Sequence, residues 1–223
     1  MEKHELKPAR VVILISGGGT NLQTIIDQQE AGKLPITICA VISNRDDVQG
    51  IQRAQKHNIP VIVLEHNQFP SRESFDGRLQ DIIDSQNPDI VVLAGFMRIL
   101  TPDFTRHYEG KMINIHPSLL PHYQGLHTHR RVLEAGDLKH GATVHFVTAQ
   151  LDGGPAIIQS SIEVEKSDSE ESLKEKVLRQ EHKIFPLAIR WLAEKRVVMR
   201  EEKAFLDGEE LAVGGVQFDK NEI

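Results

Sequence analysis

The chain is short of the residues that mark a secreted, membrane-spanning or nucleic-acid-binding protein. Its 223 residues include one cysteine, Cys39, so no disulfide can form within it and a disulfide-stapled extracellular fold is excluded. Cys39 stands in Ile-Thr-Ile-Cys-Ala-Val-Ile, where a buried structural thiol is expected rather than a reactive one. The longest apolar runs, such as residues 11–15, fall far below the roughly 20 residues that cross a bilayer as a helix. The amino terminus, Met-Glu-Lys-His-Glu-Leu-Lys-Pro, lacks the apolar centre of a signal peptide, which predicts a cytoplasmic protein. Positive charge is not in excess: 26 Lys and Arg against 32 Asp and Glu leave a net charge of −6. That balance opposes the usual electrostatic footprint of nucleic-acid binding. Aromatic residues are only 5% of the chain, so its core must be mainly aliphatic.

What remains is an ordinary globular composition, 39% hydrophobic and 26% charged with mean hydropathy −0.30, in a chain long enough for one sizeable core. Short β-branched runs at 11–15, 36–43, 61–64, 90–94, 112–116 and 142–147 alternate with amphipathic stretches, the pattern of repeated βαβ units with a parallel sheet. Leu22, Ile25 and Ile26 fall at helical spacing, as do Phe75, Leu79, Ile82 and Ile83, so each helix buries one stripe. Pro88 closes the second helix. The run at 90–94 is apolar throughout, as a mid-sheet strand covered on both faces should be. After residue 147 come Asp152-Gly153-Gly154-Pro155, a strand over 156–164, and a long helix over 170–195 that Pro186 should kink or divide. Asp207-Gly208 then turns a terminal hairpin between 203–206 and 210–213. The fold class is α/β: a Rossmann-like, mostly parallel twisted sheet with helices on both faces, plus a carboxyl-terminal strand, long helix and hairpin. Residues 1–9 read as an amino-terminal extension and 10–223 as a single domain.

Ser16-Gly17-Gly18-Gly19-Thr20-Asn21 joins the first strand to the first helix. Glycines there let the backbone approach an anion while helix-start amides point at it, so a phosphate site is expected. A tight turn with a Thr20–Gln23 capping box would need no ligand, but three successive glycines exceed what a cap requires. The dinucleotide fingerprint fits poorly, because Leu22 replaces its third glycine and the second strand ends in Ser43-Asn44-Arg45 rather than an acid; a phosphate-loop Lys-Ser or Lys-Thr is also missing. The pattern suits a monophosphate and no nicotinamide cofactor.

Asn-Ile-His-Pro-Ser at 114–118 ends an apolar run. Alternation puts Asn114 and His116 on one face and Ile113 and Ile115 on the other, and Pro117 ends the ladder. A lone histidine here would be structural. Beside it, though, stand an asparagine amide and, from another turn, the Asp152 carboxylate. An imidazole that gives and takes a proton, a carboxylate that holds its charged form and an amide that steadies an oxyanion together suit acyl transfer without a covalent enzyme intermediate. No serine or cysteine elbow is present. His127-Thr128-His129 is too sparse for a metal site, so no metal is expected; these residues read as a loop and helix start beside the site. Glu181 lies among Val177, Ile184 and Phe185 at helical spacing, so its carboxylate projects from an apolar stripe and needs a partner. It is either an ion-paired edge residue or a cradle for a substrate amine.

Ile-Ser-Gly-Gly-Gly-Thr-Asn-Leu-Gln, Leu-Ala-Gly-Phe-Met-Arg-Ile-Leu, Asn-Ile-His-Pro-Ser-Leu-Leu-Pro, Gly-Leu-His-Thr-His and Leu-Asp-Gly-Gly-Pro occur in that order. Together they closely resemble the phosphoribosylglycinamide formyltransferase family, from about residue 11 to the terminal hairpin. The resemblance implies transfer of a formyl group from 10-formyltetrahydrofolate, a co-substrate, to the amine of 5-phosphoribosylglycinamide in purine synthesis. It implies that Gly19, Thr20 and Asn21 hold the ribose phosphate and that Leu178, Arg179, Gln180 and Glu181 line the ribonucleotide site. Folate would lie along Met97, Arg98, Ile99, Leu100, Thr148, Ala149, Gln150, Leu151 and Asp152, touching Asn114, with Arg72 near its glutamate tail. Asn114, His116 and Asp152 would be the catalytic trio. Residues 10–110 would form mainly the phosphate-binding half and 111–223 the catalytic and folate-binding half. The partners implied are small molecules, with no nucleic acid or membrane, for a monomer or weak homodimer. Gly18 stands where this family often has asparagine, and Gln124 where proline or lysine is common.

Formyltetrahydrofolate deformylase and the catalytic domain of methionyl-tRNA formyltransferase share the Asn-x-His and Asp arrangement. The first would add an amino-terminal regulatory domain and the second a basic carboxyl-terminal one, for which this chain is expected to have no room. A non-catalytic nucleotide-binding module, with His116 structural, is the reading from another class. The incomplete fingerprint and the Asp152 loop count against it.

Overall fold

The computed structural model describes residues 7–218. In chain order the elements are β1 (Ala9–Ile15), α1 (Thr20–Glu30), β2 (Ile36–Ser43), α2 (Gln49–Lys56), β3 (Val61–Val63), α3 (Arg72–Ser85), β4 (Ile90–Leu93), α4 (Pro102–His107), β5 (Met112–His116), α5 (Thr128–Ala135), β6 (Lys139–Phe146), β7 (Ala156–Glu163), α6 (Glu170–Ala193), β8 (Val197–Arg200), β9 (Lys203–Leu206), β10 (Glu209–Glu210) and β11 (Val216–Gln217). The expected extension falls largely on residues 1–6, outside the described residues, and β1 starts at Ala9, paired with Ile36.

Eight strands form one sheet in the order β11-β7-β6-β5-β4-β1-β2-β3. β4 lies inside it between β1 and β5, and all four of its residues are buried. Alternation divides the core between two layers. Val11, Ile13 and Ile15 join Leu22, Ile26, Ile184 and Phe185 on one face, while Val12 and Leu14 join Phe75, Leu79 and Phe104 on the other. Every position of residues 11–15 is therefore apolar because both faces are covered, and each such side chain contributes about 1.5–3 kcal/mol on burial. Topology places the ends of β1, β4 and β5 side by side, which is where open α/β sheets bind ligands.

Several expectations change in detail. The sheet is not parallel throughout 10–147: β6 runs antiparallel to β5, and β7 antiparallel to β6. A parallel return needs a crossover laid back along the sheet, and the short α5 in this connection packs on α6 instead. Cys39 is only half-buried, because the β1–β2 register skips it between Ile38 and Ala40, a bulge that leaves its residue unpaired. Pro186 does not divide the long helix, which runs unbroken through it; the residue is buried, and packing around that turn outweighs the lost backbone bond. The Thr20–Gln23 capping box is absent: Gly19, in the left-handed region at φ 70°, is the N-cap, with no side-chain cap bond. Reciprocal serine caps occur instead on α3 (Ser71 and Ser74) and α6 (Ser169 and Ser172). The terminal hairpin turns at Asp207-Gly208 as expected, but its second strand is only Glu209–Glu210, and β8 adds a third strand to that small sheet.

Candidate active site

The glycine-rich turn follows β1 and is fixed from below. Ser16, buried, accepts the Met97 N–H through Oγ at 2.8 Å, which ties this turn to the segment after β4. A Cβ on Gly19 would stand 2.7 Å from Gly50 Cα at the start of α2, whereas one on Gly17 or Gly18 would meet nothing within 4 Å. Arg53 of α2 donates from Nε to the Gly18 carbonyl at 2.8 Å, which puts a cation beside the turn that was not foreseen from sequence. α1 has no acidic residue in its first turn, so its positive end is not neutralised.

Asn21 and Glu181 meet across 160 positions of sequence. Asn21 Nδ2 donates to Glu181 Oε2 at 2.7 Å. Glu181 is buried, and burial pushes its carboxyl above the usual carboxylate range, with the Asn21 bond opposing it. Asn21 Oδ1 is buried with no hydrogen-bond partner. Among the family-implied neighbours, Leu178 is half-buried, Arg179 is exposed, and Gln180 accepts from Ser160 Oγ at 3.1 Å.

Asn114 and His116 share a face of β5, but their surroundings differ. Asn114 opens into a cavity of about 100 Å³ that Arg98, Ile99, Leu100, Thr148, Ala149, Gln150, Leu151 and Asp152 also line. Met97 is 71% exposed and stands outside the lining, as does Arg72 at the first turn of α3. His116 is buried and does not line the cavity either. Its Nε2 is 2.9 Å from the Tyr123 carbonyl; a carbonyl only accepts, so Nε2 carries a proton. Its Nδ1 is 3.5 Å from Asp152 Oδ2, an ion-pair contact too long for a strong hydrogen bond.

Asp152 sits in the left-handed region at φ 49°. Its Oδ2 accepts the Gly125 N–H at 2.9 Å, and its carbonyl accepts from Gln124 Nε2 at 3.1 Å. Gly154 is obligatory here, because a Cβ would fall 1.9 Å from the Phe146 carbonyl oxygen. Gln124 and Gly125, which precede His127, thus hold the Asp152 loop. His127 itself is the left-handed N-cap of α5 at φ 58°, and no group of three His, Cys, Asp or Glu among the described residues could hold a metal.

His145 of β6 is the residue that sequence reasoning missed. It is 2% exposed, with Nδ1 2.8 Å from the Phe146 carbonyl and Nε2 3.2 Å from Asn114 Nδ2. Burial lowers its pKa to about 4, so at neutral pH the ring is uncharged. Nδ1–H then donates to the carbonyl, and Nε2 accepts from Asn114. That bond directs the amide and fixes which way it faces. Its only sequence signal was the alternation of Thr143 and His145 in a β-branched run.

The model of the formyl transferase family matches residues 9–189. The chain belongs to the formyl transferase family. It is 50% identical over 210 residues to the phosphoribosylglycinamide formyltransferase of Escherichia coli, covering 94% of this chain and 99% of that one. The enzyme of the same name from Haemophilus influenzae is 44% identical over 206 residues, covering 92% and 97%. The solved structure of the Coxiella burnetii phosphoribosylglycinamide formyltransferase superposes with TM-score 0.92 at 49% identity, over 95% of this chain and 100% of that one. The family and fold implied by the sequence motifs are thus established.

Proposed function

We propose that this formyl transferase moves a formyl group from 10-formyltetrahydrofolate to the amine of 5-phosphoribosylglycinamide in purine synthesis. The observation that carries the reading is the placing of Asn114 and Asp152 in the wall of one cavity, with His116 directly behind Asp152. The cavity is smaller than the roughly 300–1,000 Å³ of a site that encloses a whole drug-sized ligand, so it takes the reacting end of the folate and leaves the tail outside. Arg72, exposed at the first turn of α3, stands where a cation suits the glutamate tail. On the other side, Gly19, Thr20 and Asn21 take the phosphate at an uncapped helix start. Glu181, with Leu178 and Gln180, lines the ribonucleotide site. In this reading residues 10–110 supply mainly the phosphate half, though Arg72 and residues 98–100 serve the folate, and 111–223 the catalytic and folate half, though Leu178, Gln180 and Glu181 serve the ribonucleotide.

The neutral glycinamide amine attacks the formyl carbon, and the C=O pair moves onto oxygen to give a tetrahedral alkoxide. The Asn114 amide, aimed by His145, stabilises that oxygen. The protonated His116, its Nδ1 turned to Asp152, adds positive charge from behind the cavity wall, and Asp152 stabilises the imidazolium. Asp152 also carries a proton, through water, from the attacking nitrogen to the folate nitrogen as the carbon–nitrogen bond to folate breaks. The amine becomes a formamide and tetrahydrofolate leaves. Positioning and electrostatics supply most of the rate.

The test is folate turnover by the purified protein with and without the ribonucleotide. Tetrahydrofolate should form only when the ribonucleotide is present. Equal turnover with water alone would make the protein a hydrolase of the deformylase type and sink the transferase reading.

A further inference from the structure

α3 carries a carboxylate where its pattern asks for an apolar residue. Phe75, Leu79 and Ile83 form its buried stripe, and Asp76, beside Phe75, is 2% exposed. A buried carboxylate is costly unless it is hydrogen-bonded. This one is half satisfied: Oδ2 accepts the Thr101 N–H at 2.6 Å, and Oδ1 has no partner. Burial pushes its carboxyl upward in spite of Thr101 and the charges of Arg98 and Arg72.

The two neighbours on α3 grip one short segment at both ends. Phe75 lies under the Arg98 guanidinium, 4.4 Å from its ring centroid, while Asp76 holds Thr101. Arg98 Nε is buried and unpartnered like Asp76 Oδ1. Thr101 in turn caps α4, its Oγ1 accepting from Phe104 N at 3.4 Å. The same segment gives Arg98, Ile99 and Leu100 to the cavity that Asn114 and Asp152 share. A shift of the segment therefore changes the cavity wall without touching β5 or the glycine-rich turn.

We infer that Asp76 is a positioning residue for the folate, fixing the 98–101 segment from behind and so setting the shape of the wall against which the folate lies. The inference rests on the reading of that segment as the folate wall. Asp76 touches no substrate; it acts through the Thr101 amide.

Asp76→Ala should raise the KM for 10-formyltetrahydrofolate by about tenfold, the scale of one lost charge-assisted hydrogen bond. The KM for the ribonucleotide and kcat at saturating folate should stay within about threefold. Asp76→Asn, whose carbonyl oxygen can still accept from Thr101, should recover most of the folate affinity, a rescue that a role in charge would not give. The same comparison is made by calorimetry with tetrahydrofolate as the probe, and by thermal unfolding of each variant. If Asp76→Ala does not fold, Asp76→Glu, one methylene too long for the same bond, replaces it, with the same selective loss expected. Equal tetrahydrofolate affinity in the wild type and the variant overturns the positioning role and leaves the function intact, as does equal loss of both substrates. No tetrahydrofolate binding by the wild type overturns the folate reading itself, and the role of Asp76 with it.

Discussion

The molecule has two glycine-rich turns beside its site, and they hold glycine for opposite reasons. At Gly154 of the Gly153-Gly154 turn the protein itself forbids a side chain: a Cβ would lie 1.9 Å from the Phe146 carbonyl oxygen, whereas one on Gly153 would meet only the flexible, exposed Gln150 side chain, at 2.4 Å. At Gly17-Gly18 nothing of the protein lies within 4 Å of an added Cβ, and neither residue has a positive φ. Of the first pair, Gly154 is needed by the fold, because close approach to β6 there shapes the turn that carries Asp152. The second is not needed by the fold, which leaves open space for a ligand. Gly19 belongs with the first kind, blocked by Gly50 and held at φ 70°. Glycine content alone thus says little, and what an added methyl group would touch separates packing from binding.

If the Gly153-Gly154 turn serves to aim Asp152 at an imidazole, removing the imidazole should cost more than any change in either turn. His116→Ala should lower kcat by roughly 10²–10⁴, the usual range for a group that handles protons, with little change in either KM. Steady-state kinetics with both substrates reads this directly. An unimpaired variant would take His116 out of the mechanism and make the Asp152 turn a structural feature alone.

Gly154→Ala attacks the packed turn itself. The methyl group must push β6 and the Asp152 loop apart, and overpacking of this kind costs about 1–3 kcal/mol. A fall in denaturation midpoint should come with lost kcat, since Asp152 sits two residues away. A variant with wild-type stability and activity would show that the loop yields without cost, and the contrast between the turns would fail.

The sequence made the fold largely legible because both helices and strands keep their own periods: the runs at 36–43 and 112–116 are strands to the residue. It did less well where tertiary packing decides. The short α2 and α4, Gln49–Lys56 and Pro102–His107, were too brief for a periodic signal. The reversal of β6 depends on where α5 docks, which spacing along the chain does not encode. In the site, Asn114, His116 and Asp152 were readable as motif residues. The shape of their meeting was not: His116 stands outside the cavity, and His145 and Tyr123 contact Asn114 and His116 from a partner strand and a loop. The Glu181 partner was predicted as a need and found in Asn21, a residue already assigned to the phosphate turn. Arg53 was invisible for a plainer reason, being one cation of many on a polar helix until Gly50 brings that helix against the turn.

The smallest expected effect is also the sharpest test of the contrast. Gly17→Ala places a methyl group in space the protein leaves empty, so folding stability should hold within about 1 kcal/mol, with any gain coming from a less flexible unfolded chain. An anion cradled by backbone amides cannot tolerate the same methyl group, because close approach is what glycine supplies. The KM for the ribonucleotide should therefore rise by about tenfold, the scale of one lost hydrogen bond to a charged group, while the KM for folate and kcat stay near wild type. Inorganic phosphate should inhibit the wild type competitively against the ribonucleotide and the variant more weakly. A variant of unchanged stability and unchanged ribonucleotide KM would leave the open space beside Gly17 without a ligand to explain it. One that unfolds would mean that this turn, like the other, holds its glycine for packing.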